Sequence, residues 1–186
     1  RAIRDVYKRQ DGSFIVTTNK GTKHKAPVVA IAGGLGSYEP RKPLIDNITK
    51  YEDTGVEYMI KEPEMYRDKR VVIAGGGDSA LDWTIFLADV ASSVTLVHRR
   101  NEFRGHLDSV EKVQELKNLG KINLITPAEV TAIDGKGKVE SVEITKSGET
   151  PFSIKTDHFI PLFGLSPKLG PIANWGLEIE KNAIKV

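Results

Sequence analysis

Residues 71–83, VVIAGGGDSALDW, join a short apolar run to a helical pattern through three consecutive glycines. Residues 75–80 fit the pattern G-x-G-x-x-A. In this pattern the first glycine makes a tight turn, the second lets the backbone approach a pyrophosphate, and the small last residue lets helix and strand pack closely. Because a strand precedes the glycines and a helix follows them, the segment predicts the first β-turn-α unit of a Rossmann-like, nucleotide-binding α/β fold.

Backbone N–H groups at the start of such a helix face phosphate oxygens, and the helix dipole adds to the attraction. The residues predicted to bind a cofactor here are Gly75, Gly76, Gly77, Asp78, Ser79 and Ala80. For Asp78, the favourable position of an acid at a helix N-terminus is a sufficient explanation by itself. A glycine turn with a purely structural purpose stays open as an alternative.

A basic cluster follows the next predicted strand, about 20 residues beyond the glycines, where an NAD site carries an acidic side chain for the ribose 2′-hydroxyl. This chain has HRRNEFR at 98–104, with Arg99, Arg100 and Arg104. Guanidinium groups pair bidentately with a phosphate, whereas a carboxylate repels it, so the cluster predicts NADP(H). His98 either stacks on the adenine, contacts the phosphate or is a plain surface histidine, and a solvated basic loop is the alternative for the arginines.

Strands and helices alternate through the middle of the sequence, which predicts a parallel α/β sheet. The predicted strands are 71–74, 93–97, 122–125 and 158–163, with helices over 78–90 and 108–118. The second helix begins with a capping-box pattern, Asp108 followed by Glu111. Further short β segments at 129–133, 139–145 and 152–155 predict an antiparallel meander. A short helix at 45–51 and a strand at 56–60 are also predicted.

The flanks have a different composition. Residues 13–18 and 22–25 predict a hairpin, and the apolar run 27–32 predicts a buried strand. Clusters of glycine and proline at 33–43 and 164–171 mark candidate domain boundaries. They divide the chain into a first segment, 1–37, a nucleotide-binding domain, 38–164, and a final segment, 165–186.

Composition excludes several classes of function. The absence of cysteine removes disulfides, thiolate metal sites and dithiol redox chemistry, and His24, His106 and His158 have no metal-ligand spacing. A formal net charge of +2 gives no support for nucleic-acid or membrane binding. No apolar run reaches the roughly 18 residues of a membrane span, and no leader pattern opens the chain, so a cytoplasmic location is expected.

GGGDSALDW followed by HRRNEFR resembles the NADPH domain of the low-molecular-weight thioredoxin reductase superfamily, in particular the ferredoxin/flavodoxin–NADP reductases of thioredoxin-reductase-like type. The similarity covers nearly everything from residue 11 to residue 186. AGGLGSYEPRK at 32–42 and PLFGLSPKLGPIANWGLE at 161–178 resemble the two junctions with the flavin domain. The chain therefore corresponds to the inserted NADPH domain with short flavin-domain flanks.

The resemblance implies further roles. Thioredoxin reductases carry a C-x-x-C pair in the region that matches 55–63, GVEYMIKEP, which has no cysteine here. The implied route therefore leads from NADPH through FAD, mostly held by a flavin domain outside this chain, to ferredoxin or flavodoxin. Gly164 and Leu165 would flank the nicotinamide half, and the segments 33–43 and 164–171 would be hinges. Tyr38 matches an aromatic that packs on the flavin, or is an ordinary linker aromatic. A homodimer in the full-length protein is compatible with the resemblance.

A second hypothesis belongs to another class, a non-catalytic NADP(H)-binding module or sensor. It is motivated by the missing flavin-binding fingerprint. An upstream fingerprint of that kind in the reading frame favours the enzyme, whereas native termini at residues 1 and 186 favour the module. The electron acceptor itself is inferred only from the resemblance.

Overall fold

The computed structural model describes residues 3–32, 37–180 and 183–185, with the backbone alone for Ser37, Tyr38, Pro167 and Lys168. The chain divides into two compact units, Pro40–Gly164 and Arg1–Glu39 with Leu165–Val186. The larger unit contains helices α1 (Asp78–Leu87) and α2 (Leu107–Asn118), and strands β5 (Arg70–Ala74), β6 (Ser93–Val97), β7 (Asn123–Ile125), β8 (Glu129–Asp134), β9 (Ser141–Thr145), β10 (Phe152–Lys155) and β11 (His158–Pro161).

A four-stranded parallel sheet in the order β11-β5-β6-β7 forms the centre of this unit. Its central strand β5 is buried on both faces, which explains the continuous apolar run that encodes it. Val71 and Ile73 belong to the core shared with α1 and α2, whereas Val72 and Ala74 belong to the core on the opposite face. The predicted α/β class, with a parallel sheet and a β-meander, is confirmed.

The antiparallel sheet β10-β9-β8 contributes to the second core. Val142 and Ile144 are alternate residues of β9, whereas Val130 and Ile133 of β8 are three apart because a register shift lies between them. The parallel sheet is thus packed between two helices on one face and apolar side chains of a second sheet on the other. Such burial on both faces is the usual requirement of a parallel sheet.

The smaller unit contains an antiparallel sheet of β1 (Ile3–Lys8), β2 (Phe14–Thr18) and β3 (Lys23–Ala26). The predicted hairpin is present, and β1 is a strand that the sequence pattern did not predict. Two further pairs are β4 (Ser37–Pro40) with β12 (Leu165–Lys168), and β13 (Ile179–Glu180) with β14 (Ala183–Ile184).

The predicted buried strand at 27–32 is wrong. Val28 is 74% exposed and Ile31 39% exposed, and the segment is not a strand. An apolar run becomes a buried strand only where neighbouring strands pair with it and other elements cover it. Within the described residues none pairs with this segment.

Four local predictions also need correction. The segment 45–51 forms only a short 3-10 helix, Ile48–Tyr51, and 56–60 contributes isolated bridges at Val56 in place of a strand. Helix α1 ends at Leu87, before the predicted residue 90. Helix α2 begins after His106, with no side-chain cap, so the predicted capping box does not form. No described helix is both long enough and apolar enough to cross a membrane.

Candidate dinucleotide-binding site

The glycine turn lies at the carboxyl end of the parallel sheet, where β5 has neighbours on both sides. Ala74 pairs with Val97 of β6 and with Pro161 of β11. After β5 the chain continues through β6 and β7 on one side, whereas β11 lies on the other side. This reversal of strand order creates a crevice outside the carboxyl ends of the strands, which is where open α/β sheets bind their ligands.

The first two glycines have no room for a side chain. A Cβ on Gly75 would lie 2.7 Å from the Cβ of Ala80 and 2.8 Å from the carbonyl oxygen of Leu162. A Cβ on Gly76 would collide with the His98 ring. Gly75 also donates its N–H to the carbonyl of Val97 at 3.0 Å. The turn is therefore packed tightly against α1, the segment after β11 and the start of the basic cluster.

Four backbone N–H groups at the turn have no acceptor among the described residues. They belong to Gly76, Gly77, Asp78 and Ser79, and helix α1 has no side-chain cap. The turn closes with N–H groups of Ala80 and Leu81 donating to the carbonyl of Gly77, at 3.0 and 3.2 Å. A helix N-terminus with open donors and a positive dipole end is suited to bind phosphate oxygens.

His98 is buried beneath the turn, with 7% of its surface exposed. Its ring stacks on Phe103, with centroids 5.1 Å apart, and Nε2 lies 3.1 Å from the carbonyl oxygen of Glu102. Because a carbonyl only accepts, Nε2 carries the hydrogen. Burial lowers the pKa of His98, the bond to Glu102 raises it, and the adjacent arginines lower it further, so the ring is neutral near pH 7. The surface-histidine alternative is wrong.

The three arginines of the cluster are exposed, and none pairs with a carboxylate of the described chain. Arg99, Arg100 and Arg104 all lie near enough to His98 to lower its pKa. The N–H of Arg104 donates to the carbonyl of Gly76 at 2.7 Å, which fastens the cluster to the turn. The structure therefore brings the residues predicted to bind the pyrophosphate and those predicted to bind the 2′-phosphate together at the carboxyl end of the sheet.

We call residues 99–106, which lead from β6 to α2, the arginine loop. Its far end is held by Asp78, whose Oδ1 accepts the N–H of His106 at 2.7 Å. Gly105 packs on α1 so closely that a Cβ there would lie 2.5 Å from Cδ1 of Leu81. The sequence pattern did not indicate these contacts. The signals available were Phe103, the one apolar residue of HRRNEFR, and the glycine that follows it.

The remaining predicted residues lie at the ends of the larger unit or beyond it. Gly164 has a left-handed φ of +84°, open space around its Cα, and a carbonyl that accepts the N–H of Arg41 at 3.0 Å. Leu165 is 52% exposed in β12. Tyr38 lies in β4, and its side chain is outside the described part of the structure. Residues 33–36 of the first predicted hinge are also outside it.

A family model described as pyridine nucleotide-disulphide oxidoreductase matches residues 1–186. The ferredoxin–NADP reductase of Flavobacterium johnsoniae is 73% identical over 181 residues, which cover 97% of this chain and 51% of that protein. A protein of the same name from Nitrobacter winogradskyi is 41% identical over 185 residues, covering 99% of this chain and 54% of that protein. The chain thus spans about half the length of the curated relatives it matches.

Solved structures agree on the fold. Thioredoxin reductase from T. acidophilum superposes with a TM-score of 0.80 at 23% identity, over 97% of this chain and 57% of that one. A bacillithiol disulfide reductase from Staphylococcus aureus superposes with a TM-score of 0.78 at 24% identity, over 96% of this chain and 53% of that one. These findings confirm the resemblance to ferredoxin–NADP reductases of thioredoxin-reductase-like type. The chain belongs to the pyridine nucleotide-disulphide oxidoreductase family, and it is a homologue of ferredoxin–NADP reductases.

Proposed function

We propose that this chain is the NADPH-binding part of a flavin-dependent reductase that passes electrons from NADPH through FAD to ferredoxin or flavodoxin. The observation that carries the proposal is the junction of the glycine turn with the arginine loop. The carboxyl end of the sheet offers open backbone N–H donors and three cationic side chains that pair with no carboxylate among the described residues. A dinucleotide with an additional phosphate on its adenosine ribose matches this arrangement in charge and in hydrogen-bonding groups.

The residues of the site fit such a cofactor. The open N–H groups from Gly76 to Ser79 would receive the pyrophosphate, and there is space for it beside Gly77, where a Cβ would meet no atom of the described structure within 4 Å. Arg99, Arg100 and Arg104 would bind the 2′-phosphate, and the backbone at Gly164 and Leu165 would flank the nicotinamide half. When bound, NADPH and FAD supply the hydride and electron chemistry, whereas the protein binds and orients them.

Two observations support the acceptor. The region that matches the thioredoxin reductase dithiol, 55–63, contains no cysteine, so a dithiol relay to thioredoxin cannot form there. Relatives of 73% and 41% identity bear the name ferredoxin–NADP reductase. We propose that the NADP(H)-binding domain comprises residues 38–164, and that 1–37 and 165–186 belong to a flavin domain. Tyr38 would then pack on the flavin, and the two glycine- and proline-rich segments would act as hinges.

The cofactor assignment is tested by titrating the full-length protein with NADPH and with NADH in a calorimeter. NADPH should bind at least about tenfold more tightly, since each bidentate arginine–phosphate contact is worth on the order of 1.5–3 kcal/mol before screening. Replacing Arg100 and Arg104 together by Ala should remove that preference while NADH affinity stays within about twofold. Equal affinities in the unmodified protein would contradict the assignment.

The acceptor is tested by adding NADPH to the full-length protein, loaded with FAD, and following the reduction of ferredoxin, flavodoxin and thioredoxin separately. Reduction of either of the first two without reduction of thioredoxin is the expected result. Tight NADPH binding with no electron transfer to any of them would favour the alternative, a non-catalytic NADP(H)-binding module.

A further inference from the structure

Asp78 is an acidic side chain beside the proposed phosphate site. It is the first residue of α1 and is exposed beside the N–H groups that we assign to the pyrophosphate. An acid at a helix N-terminus stabilises the helix, but its charge also repels a phosphate bound at the same end. This repulsion makes the hydrogen-bond partner of the Asp78 carboxylate relevant to phosphate binding.

The side chain has a specific partner. Asp78 Oδ1 accepts the backbone N–H of His106 at 2.7 Å, the short distance typical of a charge-assisted hydrogen bond. His106 immediately precedes α2 and ends the arginine loop. The two residues are 28 positions apart in sequence, so the bond joins the start of one helix to the start of the other.

This bond completes the attachment of the arginine loop at three points. Immediately before the loop, the buried His98 ring lies against Gly76 and stacks on Phe103 of the loop. In its second half, Arg104 donates its N–H to the carbonyl of Gly76. At its end, the one hydrogen bond from a side chain of α1 in the described structure is that of Asp78 to the N–H of His106. Arg99 and Arg100 lie between the first two points.

Gly105 shows that the end of the loop is seated directly on α1. A Cβ there would lie 3.1 Å from Asp78 Oδ1 and 3.2 Å from Asp78 N, in addition to its clash with Leu81. The backbone between Arg104 and His106 therefore lies against the first turn of α1. This close fit is an observation independent of the hydrogen bond, and it leads to the same contact.

We propose that Asp78 is a positioning residue for 2′-phosphate selection. Its carboxylate holds the arginine loop against the glycine turn, so that the guanidinium groups are already in place when the dinucleotide binds. The inference rests on the proposed NADP(H) function, and it assigns the side chain of Asp78 to the loop in place of the ligand. Asp78 acts on the cofactor through Arg104 and its neighbours.

Three variants of the full-length protein test the proposal, each titrated with NADP⁺ and NAD⁺, which differ only in the 2′-phosphate. Asp78→Ala should lower the affinity for NADP⁺ by about tenfold, which corresponds to the loss of one charge-assisted hydrogen bond. It should change the affinity for NAD⁺ by less than about twofold. Asp78→Asn keeps an acceptor oxygen and should retain the preference for NADP⁺. Asp82→Ala is the matched control, because Asp82 also links α1 to α2, through Ser109 Oγ at 2.9 Å, without contacting the loop.

An increase in NADP⁺ affinity would support the competing explanation, in which the Asp78 charge only repels the phosphate. If Asp78 acts only through its charge, both Asp78→Ala and Asp78→Asn should bind NADP⁺ more tightly, and that result would overturn the proposal. Equal losses for NADP⁺ and NAD⁺ in Asp78→Ala, not restored in Asp78→Asn, would reduce Asp78 to a structural residue and overturn the inference alone. Equal affinity of the unmodified protein for the two nucleotides would overturn the proposed function as well.

Discussion

The two ends of the parallel sheet carry similar charged side chains but differ in how these are paired. At the amino end, Arg70 binds Asp157 through two contacts, Nη2 to Oδ1 at 2.7 Å and Nε to Oδ2 at 3.0 Å. Glu57 lies 3.1 Å from Nδ1 of His158 in the same region. At the carboxyl end, the arginine loop carries three guanidinium groups with no carboxylate partner in the described structure.

This difference separates charges that stabilise the fold from charges that, in the proposed function, bind the cofactor. Arg70 begins β5, and Asp157 immediately precedes β11, so their pairing supports the register of two adjacent strands. The guanidinium groups of the arginine loop have no such carboxylate partner among the described residues, and their like charges repel one another. A group of unpaired cations beside open N–H donors is a local conflict of the kind that proteins tolerate at functional sites.

Replacing Gly76 by Ala should have the largest effect on nucleotide binding, and it should act at the carboxyl end of the sheet only. The added Cβ would collide with the His98 ring, which cannot retreat because Phe103 stacks on it. Overpacking of this kind costs about 1–3 kcal/mol, so both NADPH and NADH affinity should fall by up to about a hundredfold. Calorimetric titration with both nucleotides checks this.

Gly77→Ala is the matched control for the fold. A Cβ at Gly77 meets no atom within 4 Å. Its unfolding temperature should therefore stay close to that of the unmodified protein, whereas that of Gly76→Ala should decrease. Unchanged nucleotide binding in Gly76→Ala would contradict the placement of the cofactor at this turn.

Replacing Arg70 by Ala removes the ion pair with Asp157 at the amino end of the sheet, and it should lower stability without changing nucleotide binding. The side chains of Arg70 and Asp157 are 41% and 33% exposed, so after solvent screening we expect a loss of about 1 kcal/mol in the free energy of unfolding. Urea denaturation measures it, with Lys121→Ala as the control, since its pair with Asp89 is more exposed. A changed ratio of NADPH to NADH affinity would contradict the separation of the two ends.

The sequence pattern predicted those features that depend on local order. The continuous run at 71–74 predicted a strand buried on both faces, and the spacing from the glycines to the arginines predicted two residue groups that the structure brings together. The run 27–32 has a similar composition but is exposed. Composition specifies what a strand can bury, whereas its neighbours decide whether it is buried.

The prediction failed where a contact joins distant parts of the chain. Asp108 and Glu111 have the spacing of a capping box, yet the N–H before α2 is bound by Asp78, 28 residues earlier. His98 has a charged neighbourhood in sequence but a buried ring in the structure. Neither arrangement follows from spacing, because each requires two parallel strands to place their following loops side by side.

A low pH should lower the free energy of unfolding through Asp157, at the amino end of the parallel sheet. Hydrogen bonds from Arg70 lower the pKa of this carboxyl from 3.8 to about 2. A lowered folded-state pKa contributes stability that is present above the unfolded value and is lost as the pH falls from about 4 to about 2. Urea denaturation between about pH 5 and pH 2.5 should show this decline, which should be smaller in Arg70→Ala. An identical decline in the variant would assign the acid sensitivity to other carboxyls.

The smallest expected effect is a pH dependence of nucleotide affinity that comes from His98. His158, at the amino end of the sheet, serves as its control. Burial lowers the pKa of His98, so its contribution to the turn is present above its ordinary value of about 6.5 and is lost as the pH falls below it. NAD⁺ affinity should therefore weaken modestly below that pH. NAD⁺ is the suitable probe, since a 2′-phosphate itself titrates near about pH 6. His98→Asn should remove this dependence and His158→Asn should keep it; the same dependence in both variants would show that His98 is not its source.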